Sequence, residues 1–296
     1  MIPEAILKEK IRSFLEEDIG LGDITTDLIV PSNVKICAQI IVKEMAVIAG
    51  LHELKTLFDM VGADFSCFVN EGDEVPPNTV TAEVRGDGRT ILKAERTALN
   101  IFSRMSGIAT ATRKMVKKIE DAGLSVRIAA TRKTAPGLRY FDKRAVIIGG
   151  GDPHRFRLDD QVLIKDNHIA IAGSIREALK EARASASFSK KIEIEVRTVD
   201  QAIEAASLGA NIIMLDNMTV NEVHEVIERL KKLNLRDKVI IEISGGITEE
   251  NVVEYAKLGP DVISIGALTH SVKSIDASLE VIEVKKLKRV SGGFSL

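Results

Sequence analysis

From about residue 126 the chain alternates between short apolar runs and amphipathic stretches, and this alternation restricts the possible folds more than any other feature. The apolar runs fall at 126–130, 161–165, 191–196, 211–215, 238–243 and 261–265 and read as strands. Helical spacing occupies 174–184, 200–208, 220–232 and 249–258. Repeated strand–helix units imply a parallel sheet. The stretch 107–271 is too short for eight units of roughly 30 residues each, the requirement of a complete barrel, but it holds six. The expected fold is therefore α/β, an incomplete barrel of about six strands in place of an open doubly wound sheet. An internal repeat supports this: TVDQAIEAASLGANIIMLDN at 198–217 resembles TEENVVEYAKLGPDVISIGA at 248–267. Thr198 and Thr248 stand where each copy's helix would be capped, and Gln201 would complete a capping box in the first. The alignment sets Asp216 against Gly266, both at the C-terminal end of a strand.

The first hundred residues have a different texture. Helical spacing covers 2–17, with Ile6, Leu7, Ile11, Phe14 and Leu15 on one face. An acidic stretch at 17–26 reads as turn and capping chemistry. Strand-like sequence at 34–49 precedes a short helix at 52–61, then short strands and turns to residue 90, then a long helix from about 91 to 120 with an interruption expected near Gly107. This is an α+β layer, a sheet with helices on one side. The reading gives a first domain at 1–106, a barrel at 107–271 and a tail at 272–296 that returns to pack on the first domain. The basic run Lys285, Lys286, Lys288, Arg289 reads as a solvated face.

Composition narrows the function classes. Lys plus Arg is 41 and Asp plus Glu is 43, for a formal net charge of −2. A general nucleic-acid binder would be basic, yet a local cationic pocket is compatible with this balance. Cys37 and Cys67, both in apolar sequence, read as small core residues and not as a disulfide or zinc framework. No stretch has the length needed to span a bilayer, and the charged N-terminus lacks the pattern of a signal peptide. A soluble cytoplasmic protein is expected.

The strand ends carry the chemistry. Thr131-Arg132-Lys133-Thr134 follows the run at 126–130 and precedes Ala135-Pro136-Gly137, a helix-breaking signal. Later strands end in Lys165-Asp166, Glu195, Asp216, Ser244-Gly245-Gly246 and Gly266. In a barrel these groups converge on one mouth. In Lys191–Val196 the period of two places Glu193 and Glu195 on one face and three apolar residues on the other. With helices outside, the glutamates point inward, where a carboxylate is costly unless a cation or metal answers it. Arg132, Lys133 and Lys165 are the candidate cations. Ser244-Gly245-Gly246 runs toward a helix start, a ready phosphate site, and Ser264-Ile265-Gly266 ends the next strand. Gly149-Gly150-Gly151 would close a helix running from about 138, leaving His154 and Arg155 in a loop near the mouth as part of an anion site. His168 suits either support of its charged neighbours or substrate contact. Glu195 and Asp216 form a pair able to hold Mg²⁺, directly or through water.

Nine blocks in order then resemble quinolinate phosphoribosyltransferase: EDIGLGDITT (17–26), AERTALN (94–100), TRKTAPGLR (131–139), GGGDPHR (149–155), LIKDNH (163–168), EIEV (193–196), MLDN (214–217), SGGI (244–247) and SIGALTHS (264–271). The resemblance covers nearly the whole chain. It implies an N-terminal α/β sandwich before the incomplete barrel, and a transfer of phosphoribosyl from phosphoribosyl pyrophosphate to quinolinate with decarboxylation, in NAD biosynthesis. It also implies a homodimer or a dimer-based hexamer with shared active sites, Arg96 reaching the partner's site. Arg96, Thr131, Arg132, Lys133, His154, Arg155 and Lys165 would bind quinolinate. Glu195 and Asp216 would take the ribose and Mg²⁺ side of phosphoribosyl pyrophosphate. Ser244, Gly245, Gly246, Ser264, Ile265 and Gly266 would bind its 5-phosphate, and Lys133, Lys165, Glu195 and Asp216 would carry the catalysis. Ile265 stands where valine is common in that family, and Val146-Ile147-Ile148 is unusually apolar.

Overall fold

The computed structural model describes residues 2–286, which fall into two compact units. The first comprises 2–110, 140–149 and 272–286; the second comprises 111–139 and 150–271. Among the described residues no helix is long and apolar enough to cross a membrane.

The first unit opens with α1 (Glu4–Ile19) and α2 (Ile24–Ile29), followed by β1 (Val34–Val42), β2 (Ala46–Val47), α3 (Leu51–Met60), β3 (Asp64–Cys67), β4 (Glu74–Val75) and β5 (Thr79–Asp87). Spacing of four buries Leu7, Ile11 and Leu15 of α1. Asp23 caps α2, accepting from the Thr26 N–H at 3.0 Å, so the acidic stretch does serve as a cap. Strands β3, β5 and β1 form an antiparallel sheet, completed by the returning segment Ala277–Lys286 on the far side of β1. Lys288 and Arg289 lie outside the described residues. Cys37, in β1, is buried, whereas Cys67 is exposed because β3 is an edge strand with solvent on its free side. The expected core role thus holds for one cysteine only.

The helix α4 (Gly88–Asp121) is continuous, without the interruption expected at Gly107. Glycine is needed there for a close approach: a Cβ would run into the Lys273 carbonyl oxygen, with Lys273 C and Ser274 Cα at 3.0 Å. After β6 (Arg127–Ala129) the chain forms α5 (Arg139–Ile148). Residues 140–149 cluster with the first unit, not with the barrel segment in which they lie by sequence. Polar bonds explain this. Asp142, fully buried, receives both Arg104 Nε (2.7 Å) and Arg104 Nη2 (2.9 Å). Burial raises the Asp142 carboxyl and the Arg104 guanidinium opposes the rise. Buried Glu53 accepts from Tyr140 Oη at 3.0 Å and pairs with Arg144 Nε at 2.8 Å.

The second unit continues with β7 (Val162–Ile164), α6 (Asp166–Ala172), α7 (Ile175–Ser185), β8 (Ile192–Val196), α8 (Val199–Ser207), β9 (Ile212–Asp216), α9 (Val220–Lys232), β10 (Ile240–Ser244), α10 (Val252–Ala256), β11 (Val262–Ser264) and α11 (Ala267–His270). The segment Ala277–Lys286 is β12. All six strands of this unit are parallel, in the order β6-β11-β10-β9-β8-β7, without closure between β6 and β7. Ile194, Ile213, Leu215, Ile241, Ile243 and Ile263 face outward into a core shared with Ala202, Val223, Val226 and Ile227 of the covering helices. Burying each such Ile or Leu contributes roughly 1.5–3 kcal/mol.

The two repeat copies differ at their helix starts. Thr198 caps α8, accepting from Gln201 N–H, but Gln201 reaches past the cap to accept from the Arg197 N–H at 2.9 Å. In the second copy α10 begins only at Val252. Asn251 ties Thr248 N–H (2.8 Å) and the Gly246 carbonyl (3.0 Å) into a turn, so Thr248 caps no helix.

Candidate active site

Strand register alone specifies the inner wall. Directly paired residues of neighbouring strands project from the same face. Glu193 pairs with Leu163 and Ile212; Glu195 pairs with Met214; Met214 pairs with Glu242; Asp216 pairs with Ser244, and Ser244 with Ser264. Since Ile194 and Ile213 face the helices, all these residues face inward. Both β8 glutamates are buried, as the alternation predicts. A cavity of about 230 Å³ at the C-terminal strand ends is lined by Thr131, Arg132, Lys133, His154, Arg155, Lys165, Glu195, Asp216, Glu242 and Ser244, among others. A second, of about 490 Å³, shares Arg132, Arg155 and Lys165 and extends to His168 and Lys190.

One end of the wall is cationic. Arg155 is 9% exposed, and burial followed by the charge of Arg132 lowers its pKa. Arg132 Nε is buried without a hydrogen-bond partner among the described residues. Two guanidiniums held this close repel each other, and an anion between them relieves that repulsion. Lys133 is fixed at its backbone, its N–H bonding Thr131 Oγ1 (3.1 Å) and its carbonyl accepting from Thr269 Oγ1 (2.9 Å). His168 takes a supporting role: its Nδ1 accepts the Lys165 N–H at 2.9 Å.

Beneath the cations lies a buried polar layer. His154 Nε2 is 3.0 Å from Glu242 Oε2 and 3.6 Å from Glu193 Oε2, and Gln161 Nε2 also donates to Glu193. His154 adopts φ 52°, a left-handed conformation held by Asp152 Oδ1 accepting the His154 N–H at 2.7 Å. Burial alone disfavours the imidazolium, but hydrogen bonds to Glu193 and Glu242 and their charges outweigh it and push His154 up to about 10. The Arg155 N–H donates to Nδ1 at 2.7 Å and opposes a proton on that side. The tautomer that satisfies this bond carries its proton on Nε2 and donates it to Glu242. The ligand atoms of His154, Glu193 and Glu242 lie within 4.8 Å of one another. With Nε2 protonated they make a hydrogen-bonded brace, a poor fit to a metal.

The acidic end differs. Lys165 Nζ is 2.6 Å from Glu195 Oε2, because Ile164 pairs with Ile194 and brings the next residues side by side. Arg197 stands outside: its guanidinium lies 3.4 Å from Asp216 Oδ2, 3.8 Å from Glu195 Oε1 and 3.2 Å from Asp166 Oδ2. A cation already bridges Glu195 and Asp216, so this oxygen pair accepts positive charge between its carboxylates.

The glycine turn is only partly what the spacing predicts. Gly245 and Gly246 have φ +89° and +64°, and a Cβ at 245 would collide with the Asn217 side-chain amide. With α10 starting at Val252, no helix N-terminus backs the turn. Ser244 reaches the cavity wall, whereas Gly245, Gly246, Ser264, Ile265 and Gly266 do not. Ser264 Oγ is buried without a hydrogen-bond partner among the described residues, and the Ile265 N–H is taken by the Ala129 carbonyl at 2.8 Å. Arg96 is on the exposed side of α4 in the first unit. Glu242, Gln161 and Arg197 escaped the sequence reading. The signal for Glu242 was present: a lone carboxylate in Ile240-Ile241-Glu242-Ile243 follows the alternation of β8.

Comparison with known proteins agrees along most of the chain. Residues 23–106 match the N-terminal domain of quinolinate phosphoribosyl transferase and residues 108–280 its C-terminal domain. A probable nicotinate-nucleotide pyrophosphorylase (carboxylating) of Methanocaldococcus jannaschii is 48% identical, over 92% of this chain and 96% of the relative. The protein of the same name from Archaeoglobus fulgidus is 48% identical, over 88% of this chain and 99% of the relative. The crystal structure of NadC from Streptococcus pyogenes is similar with a TM-score of 0.88 at 34% identity, covering 97% of this chain and 99% of that one. The chain belongs to the quinolinate phosphoribosyl transferase family.

Proposed function

We propose that this protein is a carboxylating nicotinate-nucleotide pyrophosphorylase, which joins quinolinate to phosphoribosyl pyrophosphate and releases nicotinate mononucleotide, CO₂ and pyrophosphate. One observation carries the reading: Arg132 and Arg155 line the same cavity as Glu195 and Asp216. The guanidinium pair suits a diacid and the carboxylate pair a sugar centre that gains positive charge.

In the reaction, Arg132 and Arg155 clamp the quinolinate carboxylates, bidentate where geometry allows, with Lys133 and Lys165 as point charges. The pyridine nitrogen forms a bond to the anomeric carbon as the carbon–oxygen bond to pyrophosphate breaks. The transition state resembles an oxocarbenium ion, which the Glu195 and Asp216 carboxylates stabilise electrostatically. The ring nitrogen then bears positive charge. The adjacent carboxylate leaves as CO₂, and the electron pair left on carbon, stabilised by that charge, takes a proton from solvent. Only binding stronger in the transition state accelerates this step, so the cations serve by orienting the ring. Mg²⁺, held by Glu195 and Asp216 directly or through water, would supply Lewis-acid stabilisation of the pyrophosphate. Incubation with quinolinate, phosphoribosyl pyrophosphate and Mg²⁺ is expected to yield nicotinate mononucleotide and CO₂. Product from nicotinate but not from quinolinate would overturn the assignment.

A cytoplasmic homodimer, or a dimer-based hexamer, goes with this reading, with Arg96 serving the site of a second copy. Arg96→Ala and Lys133→Ala are each expected to be inactive as folded oligomers. Mixing them should restore part of the activity through hybrid dimers. No recovery after proven subunit exchange would refute the shared site.

A further inference from the structure

Arg197 has no place in the reaction as described, yet it sits at the acidic end with three carboxylates around it. Its guanidinium spans Glu195 Oε1 (3.8 Å), Asp216 Oδ2 (3.4 Å) and Asp166 Oδ2 (3.2 Å). The geometry points to Arg197 as a built-in counter-ion of the Glu195–Asp216 pair, one that competes with the divalent metal and yields to it when the metal enters. This rests on the reading that Glu195 and Asp216 take the metal.

Three features make the device workable. First, the backbone is pinned while the side chain reaches its carboxylates from the solvent side. The Arg197 N–H bonds Gln201 Oε1 at 2.9 Å and Thr198 caps α8 directly after it, yet the side chain is 58% exposed. Second, the two carboxylates need a positive partner of the chain's own. Glu195 is 9% exposed and already paired with Lys165, while Asp216, on the neighbouring strand, has Arg197 as its ion-pair partner among the described residues. A half-buried carboxylate left uncompensated beside another is costly. Third, the displaced guanidinium keeps a partner it already has. Asp166 is exposed at the start of α6, and its pairing with Arg197 does not involve the metal-binding carboxylates. Exposed ion pairs are weak, so the competition is shallow, and a divalent ion wins it once its concentration is sufficient.

The test is Mn²⁺ binding to the full-length, substrate-free protein, read by the electron paramagnetic resonance signal of free Mn²⁺ at fixed low ionic strength. Arg197→Ala, and Arg197→Gln as a second variant, are expected to bind Mn²⁺ about three- to tenfold more tightly than the unchanged protein, about 0.7–1.4 kcal/mol. The gain should vanish when Glu195→Gln is added to Arg197→Ala. An isotherm unchanged by both Arg197 variants, or an absence of binding in all of them, overturns the inference. So does a gain that survives Glu195→Gln. The underlying reading is tested separately by Glu195→Gln alone, through the metal requirement of turnover. If that requirement rises while Arg197→Ala leaves Mn²⁺ binding unchanged, the Arg197 inference fails alone; if the requirement does not move, the Glu195 assignment fails.

Discussion

Arg132→Ala is expected to lower kcat/KM for quinolinate by about 10³-fold or more, a loss of about 4 kcal/mol at 1.36 kcal/mol per tenfold. The Arg132 Nε is buried with no hydrogen-bond partner among the described residues, so a bound carboxylate gains a donor that has no competing bond to give up. Truncating one side of a buried, hydrogen-bonded charge pair costs about 2–5 kcal/mol, and loss of the fork at this position falls in the upper part of that range. Arg132→Lys keeps the charge but not the planar pair of donors, and should recover only part of the loss. The ligand-free protein should respond in the opposite direction. Arg155 has its pKa lowered by burial and by Arg132, so removing Arg132 relieves a repulsion. The melting temperature without ligand should hold or rise, and the increase given by quinolinate should disappear. Steady-state kinetics and thermal melts check both parts; a kcat/KM within tenfold of the unchanged enzyme would remove Arg132 from the substrate clamp.

Gly107→Ala should destabilise the first unit even though alanine is the better helix former. In an open helix the change would gain about 1 kcal/mol. Here the new Cβ meets the backbone of Lys273 and Ser274, not a flexible side-chain end. That backbone cannot retreat freely. The Ile275 N–H bonds the Ser103 carbonyl at 3.1 Å, and the Lys43 N–H bonds the Asp276 carbonyl at 2.9 Å. Directly after them β12 pairs with β1 from Ala277 to Lys286. Overpacking of this kind typically costs about 1–3 kcal/mol and occasionally more. With neighbours pinned on both sides, a net loss of about 2 kcal/mol is expected, or roughly 4–8 °C in melting temperature at 2–4 °C per kcal/mol. A calorimetric scan showing an unchanged or higher melting temperature would refute the close-approach explanation for this glycine.

What the sequence determined by itself was the set of local patterns. The six strands of the second unit lie within a few residues of the apolar runs, and the inward direction of Glu193 and Glu195 followed from a period of two. Such properties need only the backbone repeat and the choice of a buried face, both written in five or six adjacent residues. The family was likewise legible in nine ordered blocks. Tertiary structure alone decided what depends on residues far apart in sequence meeting. The pairing of β10 with β9 set Glu242 where it meets His154, 88 residues away. The ion pairs of Asp142 and Arg144 drew α5 out of the barrel segment and into the first unit. Asn251 delayed a helix that the spacing had started at a threonine. Arg197 met, beside its neighbour Glu195, carboxylates from two other chain segments. A periodic pattern states which face of a strand is buried; strand pairing and chain crossing state which side chain stands opposite, and that second fact is what sets the electrostatics of the wall.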